Sequence, residues 1–187
     1  MVWTAPQVVV DGGPLTAAFL NTFARDNMLE TEAGKANIPS SYFVSDGLNL
    51  IVERQIQETI LKTSTEESTA STSPTNLATV GPVVTCQTNT AALLLMTVQM
   101  SNDYTGASIP VANATFEITG ATSFPATTST ATSMSIAFKN DVKAQFSGAF
   151  LVDFLNPGIN TFTMKYWNTG GLGNSKFNNR SLAVMAF

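Results

Sequence analysis

Along most of this chain, apolar and polar residues alternate in short runs with a period of two. Ala114, Phe116 and Ile118 alternate with Thr115 and Thr119, and Met134, Ile136 and Phe138 with Ser133, Ser135 and Ala137. Phe162, Met164 and Tyr166 alternate with Thr161, Thr163, Lys165 and Trp167. Successive side chains on a strand point to opposite faces, so each run predicts a strand with one buried face. Further strands are predicted at Val80 to Thr88, Ala91 to Ser101, Phe146 to Phe154 and Ser181 to Phe187. Two of these break the alternation. Leu93, Leu94, Leu95 and Met96 are apolar in a row, which predicts a central strand. Leu182 to Phe187 is also apolar on both phases. Its second face needs a cover, either the N-terminal segment of the same chain or, more simply, a neighbouring subunit. Turn formers such as Asn156-Pro157-Gly158 and the glycine-rich stretch 170–174 separate the runs. Short strands at this spacing predict a mainly β fold whose body, residues 77–187, is a jelly-roll-like β-sandwich.

The first part of the chain reads differently. Residues 1–13 suggest an extended arm, with Val8-Val9-Val10 stiff and Asp11-Gly12-Gly13-Pro14 a turn. One short helix follows, with Thr16 as its N-cap. Leu20, Phe23, Ala24 and Asn27 lie on one face, Phe19 adjoins them, and Gly34 stops it. Asp46-Gly47, flanked by strand formers, predicts a hairpin. Residues 55–62 fit strand or helix equally badly. Residues 63–76 are rich in Ser and Thr and read as a linker or an extended surface strand. The expected organisation is an attachment region (1–62: arm, helix and hairpin), a linker (63–76) and an oligomerisation domain (77–187).

Charge sharpens this division. From Ser68 to Asn102, thirty-five consecutive positions carry no charge, whereas Met1 to Glu67 carries thirteen charges. Only 12 % of the chain is charged and 44 % is hydrophobic, against a usual charged share of about 25 %. Charge keeps surfaces soluble and apart, so a β domain that gives it up is expected to pack against something. Leu94, Met96, Trp167, Met185 and Phe187 are the expected oligomer interface. The net charge is −4, with no basic stretch, which argues against nucleic acid as a partner. The start of the sequence has no basic segment ahead of an apolar one, and Ala91 to Met96 falls far short of the roughly 20 residues of a membrane span. A soluble protein with no membrane partner, made in a cytoplasm, is expected.

Candidate chemistry is sparse. Histidine is absent, which removes the commonest general base and the Ser-His-Asp and Cys-His arrangements. The single cysteine, Cys86, has no partner in the chain and is expected to be a core or half-buried thiol. Asp103, Glu117, Asp141 and Asp153 are the carboxylates after the linker, and Glu117 falls on the outward phase of its strand. No catalytic residues, metal or cofactor are expected, and the chain is not expected to be an enzyme. Tyr104, Tyr166 and Trp167 offer a second idea, an aromatic surface on which a sugar stacks.

Residues 16–27, Thr-Ala-Ala-Phe-Leu-Asn-Thr-Phe-Ala-Arg-Asp-Asn, with Trp3 ahead of them, resemble the N-terminal signature of a family of tailed-bacteriophage virion proteins. Later blocks are similar to that family in the same order: Tyr42-Phe43-Val44 with Glu53-Arg54, Leu77 to Pro82, Pro157 to Tyr166, and Asn179 to Val184. The ending Met185-Ala186-Phe187 departs from the Pro-Leu type ending common there. The resemblance implies a virion part: a capsid cement or decoration protein, a head fibre, or a minor tail component. It implies docking on the major capsid protein or another virion protein, with Trp3, Phe19, Leu20 and Phe23 as apolar anchors and Arg25, Asp26 and Asn27 beside them. It further implies self-association, as a homotrimer. Two alternatives remain at this stage. The anchors could pack on the chain's own β domain, or the protein could be a tail or fibre component that binds a host surface glycan.

Overall fold

The computed structural model describes residues 16, 36–47, 50–61, 66–104, 110–135, 142–170 and 173–187. The arm, the predicted helix and all seven expected docking residues lie outside the described residues, as do Ile136, Phe138 and Asp141. The chain divides into two compact units, Met1–Gln55 and Ile56–Phe187. Among the described residues no α-helix occurs.

In the first unit, β1 (Tyr42–Gly47) and β2 (Leu50–Arg54) pair antiparallel, as the Asp46-Gly47 signal predicts. Val44 is the buried residue of the pair. The Glu53 carboxylate accepts hydrogen bonds from the backbone N–H groups of Asn37 and Ile38 and from the Ser41 hydroxyl. It thereby ties residues 37–41 to the hairpin.

The second unit contains β3 (Gln57–Leu61), β4 (Glu67–Thr69), β5 (Val83–Thr88), β6 (Ala92–Asn102), β7 (Val111–Gly120), β8 (Thr132–Ser135), β9 (Ala144–Val152), β10 (Gly158–Thr169) and β11 (Ser175–Ala186). They form two antiparallel sheets. One has the order β5-β10-β7-β8 and the other β3-β11-β6-β9, with β4 pairing the same strand, β11, as β3 does. The inward residues of both sheets share one core. Phe116 and Ile118 come from β7, and Phe162, Met164 and Tyr166 from β10. Leu94, Met96 and Val98 come from β6, and Phe177, Leu182 and Val184 from β11. The sheets approach one another along their margins. Thr59 on β3 donates to the Val83 carbonyl at the start of β5, 2.6 Å away. On the other side, a Cβ on Gly148 of β9 would meet the Phe150 ring at 2.6 Å and the Thr132 hydroxyl of β8 at 2.8 Å, so glycine lets these side chains keep their places.

Two stretches left open by the sequence are settled as strand. β3 lies within residues 55–62 and β4 within the Ser/Thr-rich residues 63–76, and both pair with β11. Thr75 also bridges to Tyr166 through paired backbone hydrogen bonds. The unpaired edge of β11 needs backbone partners whatever the side-chain composition of the segment that supplies them, so a Ser/Thr-rich stretch is recruited as strand. β6 is central, between β11 and β9, as its apolar run predicts. Only one of its phases is buried within the chain: Leu94 is fully buried while Leu95 is 49 % exposed. An antiparallel sheet needs only one packed face.

This assignment of faces is testable by neighbouring substitutions. Leu94→Ala is expected to cost about 2–5 kcal/mol of stability, and Leu95→Ala less than about 0.5 kcal/mol. Urea unfolding followed by circular dichroism measures both, and equal losses would overturn the assignment.

Candidate functional site

The expected oligomer-interface residues do not form one surface. Leu94 and Met96 belong to the core of their own chain, with 0 % and 1 % exposure, so they contact no neighbour. Trp167 is also buried. Its indole N–H donates to the Thr169 hydroxyl at 3.2 Å. Met185 and Phe187 are half-buried, and backbone hydrogen bonds with Ala91 and Asn89 hold Phe187 in place. The physical reason for the miss is phase. Where both phases of a strand are apolar, the sequence does not say which faces inward. Cys86 is half-buried against the core, as expected.

The same parity undoes the aromatic platform. Tyr166 and Trp167 are consecutive on β10, so they point to opposite faces. Tyr166 lies inside the core, its ring 4.9 Å from that of Phe177, and neither residue is exposed for stacking. Of the carboxylates, Glu117 pairs with Lys165 at 2.7 Å on the outer face of the β5-β10-β7-β8 sheet. Asp103 accepts from the backbone N–H and side-chain amide of Asn174, and that backbone hydrogen bond is the main reason its carboxyl sits below the ordinary value. Each of these two is engaged in holding structure. Among the described residues no group of three His, Cys, Asp or Glu side chains is placed to hold a metal.

Two features remain. The first is internal. Arg180 on β11 is fully buried. A register shift between Asn178 and Ser181, with Asn179 at φ 45°, moves the inward side from Phe177 to Arg180. Asparagine tolerates this left-handed backbone better than most residues. The guanidinium donates to Glu67 at 3.0 Å and to the Thr79 and Gly81 carbonyls at 3.3 Å, and it lies over the Tyr166 ring. The Tyr166 hydroxyl donates to the same Gly81 carbonyl. Gly81 has φ 94°, and a Cβ there would stand 2.7 Å from the Val83 nitrogen, so the carbonyl is presented by a backbone suited to glycine. Burial raises the Glu67 carboxyl, but the Thr79 hydrogen bond and Arg180 outweigh it, and the group sits below its ordinary 4.5. Burial pushes the Tyr166 phenol well up.

The second feature is external: the outer face of the β3-β11-β6-β9 sheet. Cross-strand register sets its rows. Leu93 lies between Met185 and Leu151, and Ile56 immediately precedes β3. In the next row Leu95 lies between Ala183 and Ala149, with Glu58 at the β3 edge. In the third, Thr97 lies between Ser181 and Ser147, with Ile60 at that edge. Ile56, Ile60, Leu95 and Leu151 are all about half exposed or more, Leu151 reaching 66 %.

The sequence matches no protein-family model and no curated protein. Solved structures similar to the chain include one of infectious bursal disease virus, Gx strain, at 10 % identity and a TM-score of 0.43, covering 75 % of this chain and 36 % of that one. Another, of the Gt strain, has 13 % identity and a TM-score of 0.43, covering 79 % of this chain and 41 % of that one. This chain thus spans about two fifths of the length of these proteins. Likenesses with TM-scores below 0.5 decide neither fold nor function.

The buried pair yields a pH prediction. Because the folded-state pKa of Glu67 is depressed, its contribution is complete above the ordinary carboxylate range and is lost as pH falls through the lower folded value. Glu67→Gln is therefore expected to cost about 3 kcal/mol at pH 7, since it leaves Arg180 buried without its counter-charge. The gap to the unsubstituted protein should close as pH is lowered below 4.5. Urea titrations at neutral and acid pH check this, and a gap independent of pH would refute it.

Proposed function

We propose that this protein is a structural component of a bacteriophage particle, a capsid cement or decoration protein or a head fibre. It docks on coat subunits through its N-terminal region and associates with copies of itself through its β domain. The observation that carries this is the pairing of two things in one chain: a β domain with an apolar, nearly uncharged outer face, and a sequence whose blocks resemble virion proteins from Trp3 to Val184. The strand order supports a jelly roll. The chain passes from β3 and β4 in one sheet to β5 in the other, then alternates through β6, the β7–β8 pair, β9, β10 and β11. That winding is what the double Greek key of a jelly roll calls for, and jelly-roll domains recur in viral capsids and in lectins. Fold alone does not choose between those two. Of the three aromatic residues considered for sugar stacking, Tyr166 and Trp167 are buried on opposite faces of one sheet and Tyr104 is half-buried, which favours the structural role.

On this proposal each contact is weak and the particle supplies the strength, because many copies held at high local concentration add their small binding energies. Quantitative mass spectrometry of purified virions should find hundreds of copies per particle for a decoration protein. A count of about three to twelve would instead place the protein in the tail. Replacing the proposed anchors Trp3 and Phe23 with alanine should reduce particle occupancy at least about 30-fold, as loss of an aromatic hot spot worth 2 kcal/mol or more does. Unchanged occupancy with both alanines would overturn the anchor assignment.

A further inference from the structure

We propose that the outer face of the β3-β11-β6-β9 sheet binds a second copy of this chain. The proposal rests on the structural role above and assigns a surface to its self-association. Among the described residues nine large hydrophobic side chains are exposed, and three of them, Ile60, Leu95 and Leu151, lie on this one face. Single exposed apolar residues need no explanation, but a cluster on one sheet face does.

Three observations select a second copy as the occupant. The first is relief. In the central row the bulky Leu95 stands between Ala183 and Ala149, a ridge with a hollow on either side. A copy laid across it presents the same ridge and hollows, so Leu95 of each chain seats over an alanine of the other. Such self-complementarity is what a twofold contact requires. The second is charge. Across the three rows Glu58, on the margin, is the one charged side chain. A partner recognised through charge finds no counter-ion here, whereas a neutral apolar face suits another of its own kind. The third is size. Four strands about 4.8 Å apart and three outward rows about 6.8 Å apart give a footprint of about 400 Å². Two copies together cover about 800 Å², below the 1,200–2,000 Å² of tight complexes and in the range of weak, reversible ones. The contact is therefore a concentration-dependent association of free chains, suited to copies crowded on a particle.

Sedimentation of the full chain from about 1 µM to about 1 mM tests this. The weight-average mass should start at the 19.8 kDa of one chain and climb reversibly with concentration. Leu95→Lys and the milder Leu95→Ser should both stay at one-chain mass over at least tenfold higher concentration, while circular dichroism and urea midpoints show them folded. Ile159→Lys, on the outer face of the other sheet, should associate like the unsubstituted protein. If both Leu95 variants associate as the unsubstituted chain does, this face is the wrong one, although self-association stands. If the unsubstituted chain stays at one-chain mass throughout, a second copy is not the occupant. In that case loss of Leu95→Lys from purified particles would assign the face to another virion protein. Failure of the structural role itself reads out separately, as absence of the unsubstituted protein from virions.

Discussion

Arg180 carries a permanent charge into a place that water does not reach, and the second unit is arranged around it. Its partners come from three stretches of chain other than its own strand β11: Glu67 on β4, the carbonyls of Thr79 and Gly81 before β5, and Tyr166 on β10. A buried ion of this kind costs several kcal/mol to desolvate, and its pairing roughly offsets that cost. What it contributes is placement more than net stability. Slipping β11 by one residue against β6 would turn the guanidinium outward and every inward apolar side chain with it. The register shift at Asn178–Ser181 is what allows one strand to carry both Phe177 and Arg180 toward the core.

A second polar device closes the region where β10 begins. The buried Asn160 amide donates to the Thr88 hydroxyl and the Asn156 carbonyl and accepts from the Thr122 N–H. The Asn156 backbone N–H in turn donates to the Thr122 hydroxyl at 2.8 Å. Three loops and strands are thus joined by groups that are satisfied inside the protein, the condition under which buried polar networks specify a structure. Several charges among the described residues are paired on the surface. Glu66 pairs with Lys143 and Lys176, and Glu117 with Lys165. Charges that neutralise one another leave little field at the outer faces.

How much of this is legible in the sequence depends on contrast between the two phases of each strand. On β7 and β10 threonines alternate with large apolar residues, and the inward set is the one that the period predicts: Phe116 and Ile118, Phe162, Met164 and Tyr166. On β6 the contrast vanishes, so Leu94 and Leu95 cannot be told apart without cross-strand register. Nothing local in Asn178-Asn179-Arg180-Ser181 shows that a bulge turns Arg180 inward. Its partner Glu67 stands at the border of the charge-free run, beside a Ser/Thr-rich stretch that looks like linker and is strand. β3 was ambiguous because Ile56 and Ile60 suit neither period when both are exposed at a sheet margin.

Those outward residues bear on function through what folding does not require. Thr97 and Ser147 sit on the same outer face as Leu95 and Leu151, and they hydrogen-bond to each other at 3.1 Å across β6 and β9. Threonine satisfies the strand backbone as well as leucine does, so the fold is indifferent to which occupies an outward position. The inward phase alone supplies the core. A leucine at position 95 therefore adds almost nothing to the stability of the separate chain and exposes apolar surface to water. In the proposed contact between copies that surface is removed from water, and each outward Leu or Ile side chain buried there returns the transfer free energy that the isolated chain forgoes.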